Sequence, residues 1–206
     1  MKKPASKKGS KSEPIEKRRD WWIFAGHAQM HVWVNGGPIH APHERVLQLL
    51  IQPWNGDDES WCVYRHKSGA RKSGKIVFKK WDCETDKKRF RALGKKPMPK
   101  RWLDTTTVAE KQYAVSGQWV RALELKIETI SIPPIAGPVK PLLRATEYKL
   151  ALWRCRQEAN FSWNPTPPVA WRPIAKLFSS LLRAFRRFAA HPCEALALLV
   201  RRVADF

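Results

Sequence analysis

The densest group of potential metal ligands is four histidines within seventeen positions: His27, His31, His40 and His43. A protein metal site needs three or four such side chains held around one point. His27 and His31 lie in a segment with the alternation of a strand, where residues four apart are separated by about 13 Å. They could not share one ion on a regular strand. We therefore favour surface or sheet-face histidines over metal binding and predict no metal site.

The densest carboxylate cluster is Asp57-Asp58-Glu59. It could contribute to a metal site of the kind that nucleases use, or it could be a polar hairpin turn, which requires fewer assumptions. The sequence contains neither the nucleophile motif G-x-S-x-G nor the phosphate-binding motifs G-x-x-x-x-G-K-[ST] and G-x-G-x-x-G. We therefore predict that the protein is not an enzyme and holds no cofactor.

The strongest functional signal is a basic window, residues 65–101, with fifteen Lys or Arg and three acidic residues. Cations in such a window can bind phosphates and release counterions, and the interleaved Trp81 and Trp102 could stack on unpaired bases. The alternative is a solvated basic face with both tryptophans in the core. The candidate nucleic-acid or polyanion-binding residues are Arg65, Lys67, Arg71, Lys72, Lys75, Lys79, Lys80, Lys87, Lys88, Arg89 and Arg91.

The overall charge agrees with an anionic partner. The formal net charge is +21 over 206 residues, which favours nucleic acid or another polyanion, a membrane surface or an acidic protein. Residues 1–19 carry eight Lys or Arg and almost no apolar residues, so they are predicted to be a disordered basic arm. The four cysteines are scattered, and no uncharged apolar run is long enough for a spanning helix. Free thiols and a cytoplasmic location are therefore expected.

Most apolar segments alternate with period two. Segments 21–34, 46–52, 61–64, 76–78 and 118–132 are predicted as strands, although 46–52 could also be a short helix. Residues 105–116 indicate some strand. Residues 82–93 are predicted as a short helix with Asp82 or Thr85 as its cap.

Residues 145–155 are predicted as a half-buried strand, with Tyr148, Leu150 and Leu152 on one face. Residues 161–163 alternate again and are expected to pair back on it. From Pro173 onward, apolar residues recur at spacings of three and four, which predicts an amphipathic helix that packs on the sheet. The stripe consists of Ile174, Leu177, Phe178, Leu181, Leu182, Phe185 and Phe188.

Strands that follow one another as hairpins, instead of alternating with long helices, predict an α+β fold. We expect a mainly antiparallel sheet with a short middle helix and one or two C-terminal helices packed on one face. The predicted organisation is a disordered arm (1–19), an α+β domain (20–189) and a C-terminal helix (190–206).

The end of the chain resembles a known family. Tyr148-Lys149-Leu150-Ala151-Leu152, Phe161-Ser162-Trp163, Pro167-Pro168, Trp171 and Pro173-Ile174-Ala175-Lys176-Leu177 are similar to the close of small bacterial α+β proteins of the emfourin type. The resemblance covers about residues 144–183 and implies a strand, a return, a proline-rich corner and a helix. It also implies an inhibitor-like role, because founding members inhibit thermolysin-like metalloproteases. The basic window departs from that pattern, and no inhibitory segment matches.

The sequence therefore predicts a non-enzymatic binding module that engages an anionic partner, nucleic acid first, through its Lys/Arg-rich stretch and the basic arm. The alternative is a protein-interaction or protease-inhibitor-like module with no nucleic-acid role.

Overall fold

A computed structural model describes residues 18–33, 43–54, 56–68, 73–94, 96–130, 145–154 and 157–190. All but the last two residues of the predicted arm, and all but the first residue of the predicted C-terminal helix, lie outside this part of the chain. The described residues form four α-helices: α1 (Arg19–Trp33), α2 (Cys83–Leu93), α3 (Gly117–Thr129) and α4 (Arg172–Ala190). Short 3₁₀ helices occupy Lys100–Thr105 and Val169–Trp171. No helix in the described ranges is long and apolar enough to cross a membrane.

In the part of the chain that the structure describes, six strands form one antiparallel sheet in the order β4-β3-β2-β1-β5-β6. Leu49 at the centre of β1 is paired with Trp61 on one side and Leu150 on the other. The two C-terminal strands pair as predicted from their alternation, with Leu150 opposite Phe161. The strands are β1 (His43–Gln52), β2 (Glu59–His66), β3 (Gly74–Trp81), β4 (Val108–Val115), β5 (Glu147–Arg154) and β6 (Gln157–Trp163).

The predicted α+β class is confirmed, and the helices cover both faces of the sheet. On one face, α3 and α4 pack over side chains such as Leu49, Val63 and Leu150. On the other face, α1 and α2 pack over Leu50 and Trp81. The predicted placement of the middle and C-terminal helices on one face is wrong, because α2 packs with α1 on the face opposite α4.

Helix α4 follows its predicted apolar stripe. Six of the seven predicted residues are buried, and Leu182 is half-buried. Phe185 stacks on Trp61 with ring centroids 5.5 Å apart. Burying side chains of this size contributes about 1.5–3 kcal/mol each, so the stripe fixes α4 on the sheet.

Two predicted strands are wrong. Residues 21–33 belong to helix α1, which buries Trp21, Phe24 and Ala28 at helical spacing. Residues 118–129 belong to helix α3, whose N-cap is Ser116. The Ser116 hydroxyl accepts a hydrogen bond from the Trp119 backbone N–H at 3.2 Å. Such an N-cap satisfies a donor that the first helical turn leaves unpaired.

The other predicted helices and strands that lie within the described residues are confirmed. Helix α2 is capped by Asp82, whose Oδ1 accepts from the Thr85 N–H at 2.9 Å. Residues 46–52 form part of β1, and β4 lies within the segment 105–116.

Gly74 on β3 lies directly beneath Val120 of α3. A Cβ at this position would lie 2.5 Å from Val120 Cγ2 and 2.6 Å from the Tyr64 carbonyl oxygen. Since the latter is backbone, Gly74→Ala is expected to lower the free energy of unfolding by about 1–3 kcal/mol. The matched control is Gly26→Ala on α1, where the new Cβ meets nothing within 4 Å and helix propensity favours alanine by about 1 kcal/mol. Urea unfolding should show a lower free energy of unfolding for Gly74→Ala and a higher one for Gly26→Ala. Equal changes in the two variants would contradict the close packing at Gly74.

Candidate nucleic-acid interface

The predicted basic residues do not form one face. Arg71 and Lys72 lie outside the described residues. Lys75 and Lys79 lie on the sheet face that α1 partly covers, whereas Arg65 reaches Glu124 on α3 on the opposite side. The remaining cations of the set lie in the β2–β3 turn, on β3 and on α2.

Five of these cations are neutralised by ion pairs. Four of the acids that pair with them, Glu44, Asp57, Glu110 and Glu124, lie outside the basic window and reach it only through tertiary folding. Such residues are poor phosphate ligands because a phosphate must first displace the carboxylate. The pairs are Arg65 with Glu44 (2.7 Å) and Glu124 (2.9 Å), Lys79 with Glu110 (3.4 Å), Lys80 with Asp57 (3.0 Å), Lys87 with Glu84 (3.1 Å) and Arg89 with Asp86 (2.8 Å).

The other four described candidates have no ion pair with a described residue. Lys67 is exposed in the β2–β3 turn, and Lys75 lies 5.2 Å from the Tyr64 ring centre. Lys88 and Arg91 are exposed on α2. Only Arg91 adjoins the further cations that follow α2 in the sequence.

The end of the arm and the end of the basic window meet at one place. The Arg18 guanidinium donates to the Gly94 carbonyl at 2.6 Å and to the Lys96 carbonyl at 3.0 Å. The same guanidinium forms an ion pair with the Asp20 carboxylate. This ion pair lowers the pKa of the Asp20 carboxyl. We call the exposed cations around this contact the basic corner: Arg19, Arg91, Lys96, Lys100 and Arg101.

The interleaved tryptophans are structural. Trp81 is buried and donates its indole N–H to Asp86 at 2.8 Å. Trp102 packs edge-on against Phe90, with ring centroids 5.3 Å apart. The Arg89 guanidinium lies over the Trp102 ring, 4.8 Å from its centroid. Exposed tryptophans occur instead at Trp54, which follows β1, and on α1, where Trp22 is 56% and Trp33 40% exposed. The sequence prediction missed the two exposed tryptophans of α1, because a segment predicted as a strand does not show which side of a helix faces solvent.

The predicted separation of His27 and His31 is wrong. His27 and His31 are one helical turn apart on α1, with ring centroids 4.5 Å apart. Burial lowers the pKa of His31, and the neighbouring His27 and Lys79 act in the same direction. Within the described ranges, however, no three His, Cys, Asp or Glu side chains come together to hold a metal ion.

The carboxylates of Asp57, Asp58 and Glu59 point to different partners. Asp57 accepts from the Cys83 backbone N–H at 3.0 Å and pairs with Lys80. Asp58 is buried, and Glu59 pairs with Arg186 of α4 at 2.7 Å. These carboxylates therefore have structural partners instead of converging on one point.

The described thiols are also structural. Cys62 and Cys83 are free and buried, and burial raises the pKa of Cys62 to about 12 and that of Cys83 to about 11. Thiols with such pKa values are weak nucleophiles at neutral pH, because the thiolate is the reactive form.

Comparison with known proteins finds no relative: no family model matches the chain, and no curated protein or solved structure is similar to it. The resemblance to emfourin-type proteins stays a prediction.

Proposed function

We propose that the protein binds a nucleic acid through the phosphate backbone, with the basic corner as the main contact. One observation carries this proposal: Arg18 bonds to the carbonyls of Gly94 and Lys96. That contact joins Arg18, near the end of the predicted arm, to the segment that follows α2, and the arm carries eight Lys or Arg in its sequence. Cations concentrated in this way release counterions when they meet phosphates.

The proposal differs from the sequence prediction in the residues that it uses. Most of the predicted candidates are ion-paired or separated, as described above, and only Arg91 belongs to both sets. The corner adds Arg19, Lys96, Lys100 and Arg101. All five side chains are exposed, so they can approach an extended polyanion without an unfolding step.

The test is a pair of charge variants that each remove four exposed cations. The corner variant is Arg91→Gln, Lys96→Gln, Lys100→Gln and Arg101→Gln. The control variant is Arg172→Gln, Lys176→Gln, Arg183→Gln and Arg187→Gln on the exposed side of α4. Both variants lose the same net charge, so only the position of the lost charge differs.

Binding to labelled single-stranded and duplex nucleic acid is then measured across a salt series. The corner variant is expected to bind about ten- to a hundredfold more weakly at about 0.1 M salt, with a log–log salt slope shallower by up to about four. The control variant should stay close to the unmodified protein. A larger loss of affinity in the control variant than in the corner variant would place the interface on α4 and overturn the assignment to the basic corner.

A protein partner is the second candidate function. It is favoured by a row of exposed apolar side chains on the outer flank of α1: Trp22, Ile23, Met30 and Trp33. An aromatic-centred protein interface depends little on salt, unlike a phosphate interface. Absence of nucleic-acid binding at low salt would therefore overturn the first proposal and favour this one.

A further inference from the structure

A groove of about 310 Å³ lies on the sheet face beside the C-terminal end of α1. Its floor is formed by β1, β5 and β6, and two of its lining side chains are the indoles of Trp33 and Trp153. A cation lies against each indole: Lys149 Nζ is 4.1 Å from the Trp33 ring centre, and the Arg45 guanidinium is 5.3 Å from that of Trp153. The volume is at the lower end of the range for small-molecule sites, roughly 300–1,000 Å³.

The groove is nearly neutral although the protein is strongly basic. Lys149 is paired with Glu147 at 3.3 Å, and the Glu158 and Arg45 side chains, which carry opposite charges, both line the groove. Two cations are therefore balanced by two carboxylates. A phosphate gains little here compared with the basic corner, so the chemistry favours an uncharged, flat ligand that stacks on indole.

The hydrogen-bonding groups of the groove have a defined orientation. Gln48 is buried, and its Nε2 donates to the Trp33 carbonyl at 3.0 Å and to Ser60 Oγ at 3.1 Å. A carbonyl can only accept, so the amide nitrogen must face Trp33. Among the described residues nothing donates to Gln48 Oε1, which is left as an acceptor.

Asn160 is fixed in the same way. Its Nδ2 donates to Glu158 Oε1 at 3.0 Å, and a carboxylate likewise only accepts when it is ionised. The Asn160 carbonyl oxygen is thus a second acceptor on the groove wall. Two acceptors beside two indoles suit a flat ring that carries N–H donors.

We propose that this groove binds one unpaired nucleobase with an exocyclic amino group. The inference rests on the proposed function and deepens it, because a base can enter the groove only when it is not paired in a duplex. Adenine and cytosine present an amino group, whereas thymine presents a carbonyl oxygen at the equivalent position. The basic corner holds phosphates, the groove holds a base, and the ligand is single-stranded.

The experiment compares the binding of the full-length protein to labelled oligo(dA), oligo(dC) and oligo(dT) of equal length at one salt concentration. Equal length equalises the phosphate contribution. Oligo(dA) and oligo(dC) are expected to bind about tenfold more tightly than oligo(dT). Trp153→Ala should weaken binding to oligo(dA) and oligo(dC) by about tenfold, the size of one lost stacking contact, and should leave the salt slope unchanged.

A second variant guards against misfolding, because Trp153 is half-buried. Asn160→Leu changes an exposed strand residue and is expected to abolish the preference over oligo(dT), with circular dichroism unchanged. If all three oligonucleotides bind equally and Asn160→Leu has no effect, the base site is overturned while the corner stands. If the corner variant alters nothing and no oligonucleotide binds at low salt, the proposed function fails instead.

Discussion

Asp86→Ala is expected to lower the free energy of unfolding by about 3–5 kcal/mol, the usual cost of leaving a buried charged partner unpaired. The Asp86 side chain has no exposed surface. It accepts hydrogen bonds from the Trp81 indole at 2.8 Å and from the Thr107 backbone N–H at 3.1 Å. It also pairs with Arg89 at 2.8 Å. One carboxylate therefore joins α2 to β3 and to the segment that leads into β4.

The cost arises from the donors that stay behind. Alanine removes the acceptor but leaves the Trp81 and Thr107 N–H groups without it, and each buried donor without a partner costs about 1–3 kcal/mol. Arg89 still donates to the Thr105 carbonyl at 2.7 Å, so this side chain loses only part of its hydrogen bonding. The measurement is urea unfolding followed by far-ultraviolet circular dichroism, with the change read from the transition midpoint.

Asp82→Ala is the matched control, because it makes the same chemical change four residues earlier. Asp82 is exposed and caps α2 through the Thr85 N–H. Removing such a cap costs about 1 kcal/mol. If the two variants destabilise the protein equally, Asp86 is not the connection described here.

The elements that could be predicted from sequence are those with one buried face. In β5, Leu150 and Leu152 are buried while their neighbours are only partly buried. The residue types alternate in the same way, so the strand can be recognised from the sequence. In α4 the exposed side is basic and the buried side is apolar. In both elements the sequence period follows the burial period directly.

The two mistaken strands have apolar residues on both sides. Helix α1 buries Trp21 and Phe24 but exposes Trp22 and Met30, so period-two and helical spacings fit equally well. In α3, Leu125 is 47% exposed between the buried Leu123 and Ile127, which imitates a strand. The Ser116 cap was the signal that could have identified this helix.

The candidate site could be predicted only as a region of high charge. A count along the chain places fifteen cations in one window, but it cannot show that Glu44, Asp57, Glu110 and Glu124 fold onto them. Nor does it show that Arg18 reaches Gly94, a contact between residues 76 positions apart. The sequence gives the net charge of a segment, but which charges form ion pairs depends on the tertiary fold.

Asp58→Asn is expected to stabilise the protein by about 2–4 kcal/mol above pH 7 and to leave its stability unchanged near pH 4. Asp58 is 1% exposed. Its Oδ2 accepts from Gln52 Nε2 at 3.2 Å, and among the described residues no donor reaches Oδ1. Burial raises the pKa of Asp58 from 3.8 to about 7, because a carboxylate is poorly solvated inside the protein.

The sign follows from the proton balance. Between pH 4 and pH 7 the folded protein holds a proton on Asp58 that the unfolded chain has released, so stability from this group falls as pH rises. The loss is complete above the folded-state pKa. Each pH unit in that interval is worth about 1.4 kcal/mol, and asparagine has no proton to lose. Urea unfolding of both proteins from pH 4 to pH 9 gives the difference curve.

Asp57→Asn separates this effect from a simple loss of negative charge. Asp57 is partly exposed and pairs with Lys80, which is 47% exposed, so removing its charge should change stability by less than about 1 kcal/mol. Its neutral amide can still accept from the Cys83 N–H through Oδ1. A difference curve for Asp58→Asn that is flat with pH, or that matches the Asp57→Asn curve, would show that Asp58 is ionised in the folded protein without cost. A curve that rises between pH 4 and pH 7 for Asp58→Asn alone identifies one buried carboxyl as a source of instability at neutral pH.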